Sequence, residues 1–127
     1  MKSVPTISDA EWRVMQVFWE SSPKTANEVV DHLADSTHWN PRTVKSLINR
    51  LVKKKALVFE TQGRMYMYSP AVVEEDCVRS EGQSFLKRVF GGALAPLLVH
   101  FIEDEPLSNE EIDELQKILD AKRRKNS

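Results

Sequence analysis

A single cysteine, Cys77, occurs among 127 residues. That excludes an intramolecular disulfide framework and any paired-cysteine metal knuckle within one chain. Glycine and proline are sparse, four and six, which argues against extensive disorder. No glycine-rich phosphate loop occurs, and His32, His38 and His100 stand in unlike segments, never in H-E-x-x-H spacing. No apolar run approaches the ~18 residues of a membrane span, and no basic, apolar, small-residue leader opens the chain. The expectation is a cytoplasmic protein with no membrane insertion, no metal and no cofactor. What is present is ordinary for a globular chain: 41% hydrophobic and 29% charged residues, in a length that suits one compact domain or a small domain with an appendage.

The net charge of −1 hides an asymmetry. Residues 1–70 carry ten Lys/Arg against seven Asp/Glu, whereas residues 71–127 carry eight against twelve. Within the first part, Asn40 to Arg64 holds seven basic residues and one acid, Glu60. Positive charge is concentrated in one short stretch.

Three capping boxes punctuate the chain. Ser8-Asp9-Ala10-Glu11, Thr25-Ala26-Asn27-Glu28 and Ser108-Asn109-Glu110-Glu111 each place a hydroxyl and a glutamate where they can satisfy each other's backbone N–H. They predict helices over about 9–20, 26–35 and 109–124. Asn40-Pro41 marks a fourth start, with proline at the first helical position where its missing N–H costs nothing. From there Val44, Leu47, Ile48 and Leu51 fall at helical spacing, and the stripe predicts a helix to about Lys54. Ala56 to Tyr68, rich in Val, Phe and Tyr and broken at Gln62-Gly63, reads as a hairpin. Three helices and a two-stranded wing, with Ala34 to Trp39 as the turn, spell a winged helix-turn-helix over 1–70.

Residues 71–127 return to helical patterning. Val72, Val73, Cys77, Phe85, Leu86, Val89 and Phe90 predict a long helix ending at Gly91-Gly92. A short apolar helix follows, with Pro96 in its first turn. The last helix shows Ile112, Leu115, Ile118 and Leu119 on one face. Three helices with this much Leu, Ile, Val and Phe fall short of a self-contained core, so the segment is expected to be a helical dimerisation domain. Its interface would draw on Phe85, Val89, Leu94, Leu97, Leu98, Phe101, Ile102, Ile112, Leu115, Ile118 and Leu119, in a symmetric homodimer. The chain as a whole is then mainly α.

The face of the Pro41–Lys54 helix opposite its apolar stripe carries the chemistry. Its centre is Arg42, Ser46, Asn49 and Lys53, flanked by Thr43, Lys45 and Arg50; every one can donate a hydrogen bond and none is acidic. A merely solvated face usually mixes signs. Arg and Lys neutralise phosphates, and Thr, Ser and Asn read base edges or hold the backbone. Arg64 at the wing could reach an adjacent phosphate or the minor groove, while Lys54 and Lys55 fit a solvated helix end equally well. No enzyme reading competes: Cys77 sits in an apolar pattern, and Glu103-Asp104-Glu105 and Glu110 to Glu114 suit a polar link and a helix start that favours negative charge. The basic run Lys122 to Lys125 suits the other end of that helix.

These motifs also resemble a known family. I-S-D-A-E-W-R-V-M-Q-V-F-W at Ile7–Trp19, W-N-P-R-T-V-K-S-L-I-N-R-L at Trp39–Leu51, the Tyr66–Pro70 end of the wing, Gly91-Gly92 and L-S-N-E-E-I-D-E-L at Leu107–Leu115 are similar to the penicillinase and methicillin-resistance repressors (BlaI/MecI type), whose wider family includes copper-responsive repressors. The resemblance spans about 7–120.

It implies a homodimeric transcriptional repressor of an antibiotic-resistance-type operon, each winged helix on one half of a palindromic double-stranded operator. By position, Arg42, Thr43, Lys45, Ser46 and Arg50 would touch DNA, with Arg64 on the wing. In the β-lactam branch a membrane sensor protease relieves repression by a cut between Asn and Phe in the dimerisation helix; the corresponding pair here is His100-Phe101, a departure. The cysteine-rich metal motif of the copper-responsive members is missing. Where relatives tend to have glycine after the recognition helix, this chain has Lys55, so either the backbone there is left-handed at a cost of about 1 kcal/mol or the helix runs one residue further. Two alternatives stay open: a winged helix used as a protein-binding module, and a regulator answering a small ligand held near Leu94 to Ile102.

Overall fold

Helix, helix, helix and hairpin follow one another in the order that the caps and periods dictate. The computed structural model describes residues 4–127; the first three residues of the expected 1–70 domain lie outside the described residues. Six helices and two strands form α1 (Asp9–Glu20), α2 (Ala26–Thr37), α3 (Pro41–Lys53), β1 (Leu57–Gln62), β2 (Met65–Pro70), α4 (Glu74–Phe90), α5 (Leu94–Asp104) and α6 (Asn109–Asn126). The chain divides into two compact units, one ending at Gly82 and one running from Gln83 to Ser127. The division falls inside α4.

All three capping boxes are made, each hydroxyl accepting from the glutamate N–H and each glutamate accepting from the cap N–H. Asn40 caps α3 by accepting from the Thr43 N–H at 2.8 Å. α2 runs two residues past its expected end at 35, to Thr37, because Thr37 donates its hydroxyl to the Leu33 carbonyl and accepts from the Trp39 N–H. The link to α3 is therefore His38 to Asn40, shorter than the expected Ala34–Trp39, and His38 turns it at φ +60°.

The core of the first unit gathers the inward faces of α1, α2 and α3: Val14, Met15 and Phe18 from α1, Val29 and Leu33 from α2, and the whole Val44, Leu47, Ile48, Leu51 stripe from α3. Leu57 and Tyr68 seal it from the wing, with the Phe18 and Tyr68 rings 6.4 Å apart. Cys77 enters the same core from α4, as a small apolar residue should. Burial pushes its thiol up, and the neighbouring Asp76, Glu81 and Glu74 add to the shift.

α3 ends on a Schellman motif. The Ala56 N–H reaches the Leu51 carbonyl at 2.9 Å and the Lys55 N–H reaches Val52 at 3.0 Å, with Lys55 at φ +67°. Of the two expectations for Lys55, the left-handed one is the structure's. A lysine stands where glycine is the usual choice, and the buried Ala56 and Leu51 compensate by packing at the turn.

β1 and β2 pair antiparallel from Leu57↔Pro70 to Gln62↔Met65 around Gly63-Arg64. Gly63, at φ +62°, supplies the positive φ that a two-residue hairpin turn requires. The strands extend two residues past the expected Tyr68, and Arg64 lies within the turn.

α4 begins at Glu74, not at Val72 as the apolar pattern suggested. Val72 stays outside the helix, in a bend, where it packs on the first unit's core and its carbonyl accepts the Trp19 indole N–H at 3.0 Å. In the second unit, α4 ends at Gly91-Gly92, both at positive φ, and Pro96 lies in the first turn of α5. Neither α5 nor α6 contains a buried residue. No single helix among the described residues is long and apolar enough to cross a membrane.

Candidate nucleic-acid interface

α3 presents its polar face outward because its apolar stripe is wholly consumed by the core. Arg42, Lys45, Ser46, Asn49, Arg50 and Lys53 are exposed, and Thr43 is half-buried. Lys45 and Asn49, one turn apart, line an open groove of about 510 Å³. Its opposite wall is the wing, through Arg64, Met65, Tyr66 and Tyr68, and its third side is the start of α2, through Thr25, Ala26 and Asn27. The structure thus joins Lys45 and Asn49 to Arg64 in one concave surface, and places Arg42, Thr43, Ser46 and Lys53 elsewhere on α3.

The start of α2 was not read as part of the site. Its capping box uses the Thr25 and Glu28 N–H groups, and the Val29 N–H bonds the Thr25 carbonyl. Ala26 and Asn27 are then the first-turn residues left to offer backbone N–H groups to an anion, with the helix dipole behind them. Tyr66 was also missed. It is 53% exposed and stacks edge-on with Phe59 at 5.1 Å, which fixes its ring beside Arg64 in the groove wall. The capping box itself signalled the first feature; the alternation of Tyr66 and Tyr68 along β2 was the only signal for the second.

Arg50 faces a different neighbour. Its Nε lies 3.8 Å from the Glu11 carboxylate, while Lys54 donates to the same carboxylate at 2.6 Å. Lys54 is therefore no free helix end: it also donates to the Thr6 carbonyl at 2.9 Å. Burial alone pushes the Glu11 carboxyl up, but the hydrogen bonds from Lys54 and Ser8 outweigh it and hold the group below its ordinary 4.5. Glu28 is held low by its Thr25 cap bonds.

A depressed carboxyl stabilises the fold fully above its unfolded pKa and loses that contribution as the pH falls through the folded value. Acidification below 4.5 should therefore lower the urea midpoint followed by tryptophan fluorescence. All three tryptophans, Trp12, Trp19 and Trp39, lie in the first unit, so the probe reports that unit. The Glu11→Gln chain should show a shallower acid loss, and equal slopes in the two chains would assign the effect to other groups.

Among the described residues no group of three or more His, Cys, Asp or Glu comes together as a metal site. The fold and the groove define a class: a winged helix-turn-helix whose third helix turns an all-donor face outward, the arrangement of DNA-binding transcriptional regulators.

Comparison with known proteins narrows the class. The penicillinase repressor family model matches residues 7–121. The penicillinase repressor of Bacillus licheniformis is 41% identical over 120 residues, 94% of each chain. The methicillin resistance regulatory protein MecI of Staphylococcus aureus is 34% identical over 116 residues, 91% of this chain and 94% of that one. Among solved structures, the DNA-binding domain of the repressor BlaI superposes with a TM-score of 0.53 at 42% identity, covering 60% of this chain and 93% of that domain. The B. licheniformis BlaI monomeric form in complex with the blaP half-operator matches equally well, with the same TM-score, identity and coverage. This chain belongs to the penicillinase repressor family, a family of transcriptional repressors and not of enzymes.

Proposed function

We propose that two copies of this chain, joined through their C-terminal helices, seat their winged helices on the two halves of a palindromic operator and exclude polymerase from the promoter. The observation that carries the reading is the groove in which Lys45 and Asn49 of α3, Arg64 of the wing and the start of α2 converge without an acidic side chain among them. Such a surface takes a phosphate backbone along its rim while a donor-bearing helix enters the major groove. The BlaI half-operator complex supports DNA as the partner.

The joining surface is read from the second unit. Val89, Leu94, Leu98, Phe101, Ile102, Ile112, Leu115, Ile118 and Leu119 are exposed there, and Phe85 and Leu97 half-buried. That much apolar surface exceeds what a chain leaves to water without a partner, and a second copy is the partner that symmetry favours. Repression ends when this contact is lost. His100-Phe101 lies in α5 with both residues exposed, and a cut there by a membrane sensor protease would split α5 and remove its end together with α6, and with them Phe101, Ile102, Ile112, Leu115, Ile118 and Leu119 of the joining surface. The controlled genes are then of the resistance type that the relatives' names describe.

Selection from random duplexes, followed by fluorescence anisotropy at two salt concentrations, tests the reading. A dyad should emerge, its half-sites about one or two helical turns apart. Arg42→Ala should cost about 1–3 kcal/mol on that dyad and relax base preference at one position. Arg50→Ala should weaken dyad and scrambled DNA alike, by about tenfold, and flatten the salt slope by about one unit. Equal, unselective binding of every duplex would favour a protein-docking role for the face.

A further inference from the structure

Glu28 and Glu111 cap their helices at the protein surface. Glu11 performs the same capping with its side chain wholly buried. Its Oε1 accepts from the Ser8 N–H at 2.8 Å and from Lys54 Nζ at 2.6 Å. Its Oε2 is buried with no hydrogen-bond partner among the described residues. A buried carboxylate oxygen left bare is costly and calls for a reason. Arg50 supplies one: its Nε stands 3.8 Å away, too far for a hydrogen bond, and its side chain is 59% exposed.

We propose that Glu11 is a positioning residue for DNA binding, its bare oxygen seating the Nε edge of Arg50 so that the terminal guanidinium nitrogens meet a DNA phosphate. The proposal rests on the reading of Arg50 as a phosphate contact. A guanidinium is a rigid planar fork, so holding one edge fixes the direction of the other. Lys54 already answers the Glu11 charge at close range, which leaves the positive charge of Arg50 available to the DNA. The carboxylate also ties the start of α1 to the end of α3, so the aim of Arg50 is set relative to the whole recognition helix. When DNA covers the site and water leaves, the 3.8 Å gap closes to a hydrogen bond.

The sign of one substitution separates this from ordinary electrostatics. Removing a negative charge near DNA should tighten binding by Coulomb's law, whereas removing a positioning group should loosen it. Anisotropy titrations of the full chain with the selected dyad would compare Glu11→Gln, Arg50→Ala, the double variant, and Ser8→Ala alone and with Arg50→Ala. Glutamine keeps the shape and an acceptor for the Ser8 N–H but turns an amide donor toward Arg50.

Glu11→Gln should weaken binding by about fivefold, and in its background Arg50→Ala should cost less than about twofold, against about tenfold in the parent. Ser8→Ala, which removes the hydroxyl that caps the same helix start but leaves both cations on Glu11, controls for lost fold: with it Arg50→Ala should keep its full cost. Tighter binding by Glu11→Gln, or additive costs, would overturn the proposal. So would loss of the Arg50 cost in the Ser8→Ala chain, because the coupling would then be structural. No effect of Arg50→Ala in the parent would sink the phosphate reading as well, while Arg42→Ala would still report whether the face binds DNA.

Discussion

Phe101→Asp should lower dyad affinity by about 10²–10⁴-fold while leaving the weak binding to scrambled DNA nearly unchanged. The size follows from the proposed joint, not from any DNA contact. In a linked pair, the second winged helix binds at the effective concentration set by the tether; in a separated pair it must come from bulk solution. Phe101 is 49% exposed on α5, among Leu98 and Ile102. An aspartate there would have to be desolvated against apolar neighbours if two copies met, which costs several kcal/mol. The first unit contains none of these residues, so its unfolding midpoint by tryptophan fluorescence should stay within about 0.5 kcal/mol of the parent. Sedimentation measures the joint directly. A dimer that survives the substitution would move the contact away from α5.

Phe18→Ala should destabilise the first unit by about 3–5 kcal/mol. Phe18 is fully buried, faces Tyr68 across 6.4 Å and so joins α1 to the wing. Alanine leaves a cavity that the helices cannot collapse to fill, since Met15, Val14 and Leu51 around the same core are already at zero exposure. A small domain has about 5–15 kcal/mol of stability in all, so a large part of the chain should be unfolded at 37 °C. Urea titration by fluorescence would show the shifted midpoint. A loss below about 1 kcal/mol would mean that the wing and α1 are less tightly joined than the ring contact indicates.

The two substitutions draw on different kinds of information in the sequence. Phe18 belongs to a periodic stripe, and periodic stripes, capping boxes and the glycine of a hairpin turn are local signals that a single chain displays openly. They mark α1, α3, α6 and the wing, and they distinguish the outward face of α3 from its buried one. What was hidden is non-local. Glu11 meets Lys54 across 43 positions, and nothing in either segment's period announces the meeting; by sequence Glu11 is an ordinary cap, and Lys54 suits a DNA-side cation and a solvated helix end equally. The same holds for Val72, which looks helical by composition but is kept out of α4, its carbonyl bonded to Trp19, 53 residues earlier. Tyr66 and the start of α2 enter the groove for a similar reason, since only the tertiary fold brings the wing and two helices to one place.

The absence of any buried residue in α5 and α6 has a bearing on dosage. A helical segment with no interior of its own takes its order from whatever covers it, and cover supplied by another copy is subject to mass action. Under the proposed joint, a cell with few copies holds chains whose reading half is sound but whose other half is loose and open to degradation. A cell with many copies holds ordered pairs. The switch between silence and expression would then be graded by the repressor's own abundance, and its steepness would come from the second-order dependence of pairing on copy number.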